Sequence, residues 1–178
     1  MESSIVDMHS DILRRCRKGD RNAQMQLYNL YYKAMYNTSL RIVNNTFEAE
    51  DVMQESFLAA FQKLGELQED QTFAAWLKRI VVNKSINALQ KNQRFDLEAE
   101  VPVEDDDSLD HEEVAMTVDK VKAAMTELPD GYRTVLTLYL FEGYDHEEIS
   151  TITGLSSATS RSQYNRGKKL LKKIILQN

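Results

Sequence analysis

Basic side chains at helical spacing near the C-terminal end are the clearest candidates for binding chemistry in this chain. No Asp or Glu occurs from Leu155 to the last residue. The same stretch holds a series of cations, namely Arg161, Arg166, Lys168, Lys169, Lys172 and Lys173. Such a helix is suited to nucleic acid, whose phosphates attract Lys and Arg. A solvated basic helix that closes a bundle would show the same local pattern.

A second acid-free stretch, from Gln71 to Phe95, combines cations with amides. Its polar face recurs at steps of three or four residues through Arg79, Asn83, Asn87, Gln90 and Arg94, with Lys78, Lys84 and Lys91 beside it. Cations bind phosphates and amides can hydrogen-bond base edges, so the pattern predicts a helix that lies on nucleic acid. The alternative is a solvated, lysine-rich surface.

A helix, a tight turn and a second helix must position the C-terminal cations. His146 to Thr153 is predicted to be a short helix, which Gly154 can end by taking the left-handed conformation. Ser156 or Ser157 can cap the next helix by accepting from its free amides. A helix-turn-helix places its second helix in the major groove of DNA.

Further amphipathic segments predict the helices that pack beneath these two surfaces. The first lies over residues 5–18, the second begins after Asp20, and the third ends at about residue 64. The fourth begins at residue 72, the fifth lies over 114–128, and the sixth lies between Pro129 and Gly143. The second helix is predicted to bury one stripe, made of Ala23, Leu27, Leu30, Tyr31, Ala34 and Thr38. The spacing of Phe73 and Trp76 favours core packing over stacking on bases. No alternating strand pattern and no internal repeat is present, so the fold is predicted to be all-α.

Acidic residues are concentrated between the two basic stretches. The chain has a net charge of −6, with 22 basic and 28 acidic residues. Ten of the acids lie in the segment from Asp96 to Glu113, and the rest of the chain has 18 acidic and 22 basic residues. Low hydrophobicity and repelling charge predict a flexible tether. We therefore expect two small helical domains, 1–95 and 114–178, joined by an acidic flexible linker over 96–113.

Composition argues against several classes of protein. Cys16 is the single cysteine, which excludes an internal disulfide and a multi-cysteine metal site. No apolar run could span a bilayer and no signal-peptide pattern is present, so a cytoplasmic protein is expected. His9, His111 and His146 are scattered without a nucleophile and base beside them. We expect no enzyme, no cofactor and no metal site.

Several segments also carry motifs in a defined order. Residues 49–57 contain Asp51, Gln54 and Glu55 in an acidic-Asp-hydrophobic-Gln-Glu-x-Phe pattern, and residues 73–83 follow. Leu128-Pro129 with Arg133 and Val135 then precedes the basic helix over 157–170. In this order and spacing they resemble regions 2.2, 2.3, 2.4 and 4 of the extracytoplasmic-function sigma factors of bacterial RNA polymerase. The resemblance covers nearly the whole chain.

The resemblance implies roles for the N-terminal motifs. In that family region 2.2 docks on the clamp helices of the largest polymerase subunit, and the matching positions are Asp51, Gln54 and Glu55. Regions 2.3 and 2.4 read the −10 promoter element as a single strand with at least one base flipped out. The matching pocket asparagine is Asn83, and its expected neighbours are Thr72, Lys84, Asn87 and Lys91.

Region 4 of the family reads the −35 element as duplex DNA. The positions that match it are Arg161, Ser162, Asn165 and Arg166, which lie near one helical face, and Lys168 and Lys169, which follow them. Arg can read guanine, Asn can read adenine, and Lys suits phosphates. Ala158, Ser160 and Gly167 depart from the usual Gly, Val and Ala. Glycine at 167 should weaken the helix by about 1 kcal/mol.

The partners that the resemblance implies are core RNA polymerase and promoter DNA, double-stranded at −35 and single-stranded at −10, without insertion into a membrane. Many members of the family are held by an anti-sigma factor, although no residue pattern in this chain indicates one. The alternative function is a stand-alone helix-turn-helix regulator. It explains the last third of the chain but not the Gln54-Glu55 helix or the first acid-free stretch.

Overall fold

A computed structural model describes residues 2–92 and 118–177. The chain divides into two compact units, Met1–Ala88 and Leu89–Asn178. Within the described ranges every regular element is helical, which confirms the predicted all-α fold of two domains. The predicted linker over 96–113 lies outside the described residues, as do the boundaries at 95 and 114, and these stay predictions.

Four α-helices and two short 3₁₀ turns build the N-terminal unit. The helices are α1 (Glu2–Arg17), α2 (Arg21–Val43), α3 (Thr46–Lys63) and α4 (Phe73–Lys91). The 3₁₀ turns, Leu64–Glu66 and Asp70–Thr72, lie between α3 and α4.

Local side-chain chemistry fixes the ends of these helices. The Asp20 carboxylate caps α2 by accepting from backbone amides, and it also pairs with Arg15 at 2.8 Å. The hydrogen bond from Arg15 lowers the pKa of Asp20 below its ordinary value, and the bond from the Ala23 amide adds to this. Asn44 takes the left-handed conformation that ends α2, and the Asn45 side chain caps α3.

The core of the N-terminal unit is formed by α1 to α4 together. One side of α3 is buried, including Val52, Met53 and Phe57. Phe73 is fully buried with Trp76 packed against the same core, as predicted. The prediction for α2 was partly wrong, because Leu30 and Ala34 are exposed. The buried stripe runs instead through Ala23, Leu27, Met35, Thr38, Ser39 and Ile42. Leu30 and Ala34 lie within about 20° of buried Ala23 around the helix, so the buried side does not follow one straight stripe but shifts around α2 along its length.

Over residues 118–177, four further helices build the C-terminal unit: α5 (Val118–Glu127), α6 (Asp130–Leu136), α7 (His146–Thr153) and α8 (Ser157–Gln177). Its core includes Leu128 and Leu136 packed against Leu171 and Ile175 of α8. A π-helical stretch, Thr137–Phe141, continues α6. Tyr139 and Leu140 of this stretch are both exposed.

Candidate nucleic-acid interface

The outer face of α4 carries most of the side chains predicted to meet the −10 element. Asn83, Asn87 and Lys91 are exposed, while Val81, Val82 and Ile86 on the other side are buried. Thr72 is also exposed, but its hydroxyl donates to the carbonyl oxygen of Glu69 at 2.8 Å. The Thr72 side chain therefore closes the 3₁₀ turn that precedes α4.

Lys84 differs from these side chains because it is half-buried and engaged with α3. Its ammonium lies 3.4 Å from the Glu55 carboxylate, with the two side chains 31% and 68% exposed. The sequence placed Glu55 in a polymerase-binding set and Lys84 in a DNA-binding set. The fold joins the two sets by an ion pair that spacing along the chain could not predict.

The outer face of α3 presents the predicted docking residues to solvent. Asp51, Gln54 and Glu55 are all exposed. Two apolar side chains that the sequence reasoning missed lie on the same side, Phe47 at 79% exposure and Leu58 at 62%. Phe47, Asp51, Gln54 and Leu58 follow one another at steps of four, three and four, which indicates one helical face. Large apolar residues outside the buried stripe of α3 were the signal that could have found them.

An open cleft lies beside the segment that leads into α4. Its volume is about 650 Å³, and its lining is mainly polar: Ser10, Arg17, Leu67, Gln68, Glu69, Asp70 and Gln71. Arg17 crosses from α1 and pairs with Asp70 at 2.5 Å. It also donates to the carbonyl oxygen of Leu64 at 3.4 Å. These contacts tie both 3₁₀ turns to α1.

Local capping builds the helix-turn-helix. Asp145 and Glu148 form a reciprocal capping box at the start of α7, and Gly154 ends the helix at φ 80°. The Ser156 hydroxyl accepts from the amide of Thr159 at 3.0 Å, so Ser156 rather than Ser157 caps α8. The turn therefore has the geometry that the sequence predicted.

The face of α8 away from the core carries the side chains predicted to read the −35 element. Arg161, Ser162, Asn165, Lys168 and Lys169 are exposed, and Arg166 is half-buried. Ser160, Gln163 and Gly167 form the buried side. The Lys168 ammonium lies 5.0 Å from the centre of the Tyr164 ring. The Arg161 guanidinium lies 3.4 Å from Glu147 of α7, a contact that the sequence reasoning did not anticipate.

Two residues that depart from the family pattern have a packing role in α8. A Cβ at Gly167 would lie 3.1 Å from Leu136 Cδ1 and 3.2 Å from Tyr132 Cβ, so glycine allows α6 and α8 to approach closely. Ser160 is fully buried, and its hydroxyl is 2.9 Å from His146 Nδ1. Glycine at 167 is therefore expected to weaken α8 as a helix, but the close packing of α6 against α8 requires a residue without a side chain at this position.

His146 links α7 to α8 and to the π-helical stretch. Its ring stacks on Tyr139 with centroids 4.8 Å apart and meets Tyr164 edge-on at 5.6 Å. Burial lowers the pKa of His146 below its ordinary value, and the nearby Arg161 cation adds to this, while Asp145 and Glu147 oppose it. These contacts fix the position of α8 relative to α7.

Comparison with known proteins matches both units to sigma-factor regions. Residues 27–95 match the family model of Sigma-70 region 2, and residues 119–171 match that of Sigma-70, region 4. The chain is 30% identical to the RNA polymerase sigma-H factor of Pseudomonas aeruginosa, over 95% of this chain and 94% of that protein. It is 26% identical to the ECF RNA polymerase sigma factor SigW of Bacillus subtilis, over 90% of this chain and 93% of SigW. The chain belongs to the extracytoplasmic-function sigma factors.

Two solved structures share the fold of this sigma factor. CnrH in complex with the cytosolic domain of CnrY has a TM-score of 0.54 at 20% identity, covering 94% of this chain and 96% of that one. The sigma factor RpoE of Bartonella quintana, in complex with the anti-sigma factor NepR, has a TM-score of 0.57 at 19% identity, covering 85% and 96%. Within residues 2–92 and 118–177, no helix of this sigma factor is long and apolar enough to cross a membrane.

Proposed function

We propose that this sigma factor binds core RNA polymerase and directs it to promoters with a duplex −35 element and a melted −10 element. The supporting observation is that each unit exposes one acid-free helical face while burying the opposite side of the same helix. Those faces belong to α4 and α8. One DNA-binding face would suffice for a stand-alone regulator, whereas two are needed to bind two promoter elements.

The outer face of α3 is the proposed docking surface for the polymerase. Asp51, Gln54 and Glu55 supply charges and amides, which steer association and select a partner. Phe47 and Leu58 supply apolar area at both ends of this set. A large aromatic side chain contributes most to binding when the partner buries it and excludes water from it.

The α4 face and the cleft beside the segment that leads into α4 are proposed to hold the melted −10 strand. Asn83 and Asn87 can hydrogen-bond the edges of unpaired bases, and Lys91 can bind phosphate. Thr72 lies in the 3₁₀ turn immediately before α4. Lys84 joins the set when its ion pair with Glu55 opens.

The exposed face of α8 is proposed to enter the major groove at −35. Arg161 and Asn165 are assigned to base edges, and Ser162 lies beside them. Lys168, Lys169 and the half-buried Arg166 are assigned to the phosphate backbone, which positions the helix without selecting sequence.

Run-off transcription on a randomised promoter library, with purified core polymerase, tests this function. We expect specific transcripts only when the sigma factor is added, and far fewer with Asn83→Ala or Arg161→Ala. Gln26→Ala, which removes an exposed amide on α2, is the matched control and should transcribe like the wild type. If core polymerase starts RNA chains no differently in the presence of the protein, the proposal fails. A duplex footprint without core polymerase would favour the stand-alone regulator.

We also propose that the protein acts in the cytoplasm, has no catalytic activity of its own, and is held by an anti-sigma factor. The last point is supported by the structural relative RpoE, which was solved with its anti-sigma factor NepR. A protein that co-purifies with a tagged copy should block run-off transcription when added back. If the co-purifying proteins leave transcription unchanged, this partner is excluded under those conditions.

A further inference from the structure

The carboxylate of Glu147, on α7, faces the first cation of the recognition helix. Glu147 Oε1 lies 3.4 Å from Arg161 Nη2, and Arg161 Nη1 lies 3.3 Å from the hydroxyl of Ser157. The side chains of Arg161 and Glu147 are 55% and 72% exposed, so both are accessible to a ligand. Arg161 is thus contacted at two of its nitrogens before any DNA binds.

Glu147 differs from the other acids at the start of α7. Asp145 and Glu148 are occupied by their reciprocal capping box, whereas Glu147 reaches across to α8. Beyond Glu148 the chain contains no further acid. A carboxylate beside a DNA-binding helix repels phosphate, so it lowers affinity for every DNA sequence alike.

The contacts of the neighbouring residue hold this carboxylate in place. His146 precedes Glu147 on α7, and its hydrogen bond to Ser160 and its packing against Tyr164 join α7 to α8. Ser160 in turn precedes Arg161. Adjacent residues on both helices are therefore fixed to each other, which keeps Glu147 within reach of Arg161.

We propose that Glu147 is a positioning residue that holds Arg161 toward the base edges of the −35 element and away from the phosphates. The inference rests on the proposed function, in which Arg161 reads this element. Arg has five donors in a rigid planar fork, so a carboxylate on one side leaves other donors available to a guanine. Glu147 therefore increases discrimination between promoters at the expense of general affinity for DNA.

Holoenzyme binding to one promoter, selected from the randomised library, and to variants with altered −35 base pairs tests this role. Glu147→Gln should bind the altered promoters more tightly and lower the discrimination ratio by up to about fivefold, the range expected for an exposed ion pair. Its affinity should also fall more steeply with salt, by a slope of up to about 0.9, because the released Arg161 can bind a phosphate. Arg161→Ala should lower discrimination as well, and adding Glu147→Gln to it should lower discrimination no further.

Glu127→Gln is the matched control, since it removes one exposed acid from α5 in the same unit. It should keep the wild-type discrimination ratio. If Glu147→Gln keeps that ratio while Arg161→Ala loses it, Glu147 has no positioning role and the proposed function stands. If Arg161→Ala keeps the ratio too, the assignment of Arg161 to base reading is wrong and the inference fails with it.

Discussion

Replacing Gly167 with alanine should destabilise the C-terminal unit, although alanine is the better helix former. In an exposed helix interior the change would stabilise the protein by about 1 kcal/mol. Here the new Cβ would lie 3.1 Å from Leu136 Cδ1 and 3.2 Å from Tyr132 Cβ. Tyr132 Cβ is bonded to the backbone of α6, so the helix itself must move.

The expected magnitude follows from these two opposing effects. Overpacking a well-filled core costs about 1–3 kcal/mol. With the helix gain of about 1 kcal/mol subtracted, Gly167→Ala should lower stability by about 1 kcal/mol. Gly167→Val, which adds two methyl groups to that Cβ, should cost more. A displaced α8 should also weaken recognition of the −35 element.

Hydrogen exchange of the full-length protein measures this effect where it occurs. Amides of α6 and α8 report on the C-terminal unit, while fluorescence of Trp76, the single tryptophan, reports on the N-terminal unit. Gly65→Ala is the matched control, because nothing lies within 4 Å of a Cβ at that position. It should leave stability unchanged or raise it. If Gly167→Ala instead slows exchange in α6 and α8, the close approach of these helices does not limit the residue at 167.

Phe47→Ser should weaken binding to core polymerase by about fivefold, because truncating a large aromatic side chain that an interface buries costs about 1 kcal/mol. A titration with labelled core measures this, and unchanged affinity would remove α3 from the interface. Lys84→Gln should tighten core binding, by up to about fivefold, and weaken promoter binding, since it releases Glu55 but removes a cation. Loss of core affinity in this variant would contradict the assignment. Because folding lowers the pKa of His146, the unfolded chain binds a proton at a higher pH than the folded protein does. The neutral His146 side chain therefore contributes its full stabilisation above pH 6.5, and this contribution is lost as the pH falls through the folded pKa. Between neutral and mildly acidic pH the urea midpoint should therefore fall further for the wild type than for His146→Gln, and identical pH dependence of the two would refute this.

Much of the fold follows from local sequence because local interactions end the helices. Asp20 and Asn45 cap the helices that begin next to them, and Gly154 turns the chain through a left-handed conformation. The exposure of Asn83 and Asn87 also follows, since both lie opposite a clear apolar stripe. The face of α2 was harder to predict because apolar and aromatic residues occur nearly all around it, so its buried side depends on how α1, α3 and α4 pack.

Contacts between elements could not be predicted from spacing. The pairs Glu55 with Lys84 and Glu147 with Arg161 join residues 29 and 14 positions apart. The tight packing at Gly167 likewise depends on the distance between α6 and α8. These contacts arise only once the helices have packed, and they involve three residues for which the sequence suggested a function, Glu55, Lys84 and Arg161.

Under the proposed function, the ion pair between Glu55 of α3 and Lys84 of α4 couples polymerase docking to strand binding. While Lys84 is paired with Glu55, the sigma factor without polymerase offers one cation fewer to DNA, which favours binding to the polymerase first. Basic groups on the polymerase that bind Glu55 would leave Lys84 free to bind the −10 strand. Polymerase docking on α3 would then raise the affinity of α4 for the strand, through electrostatics alone and without any rearrangement of the backbone.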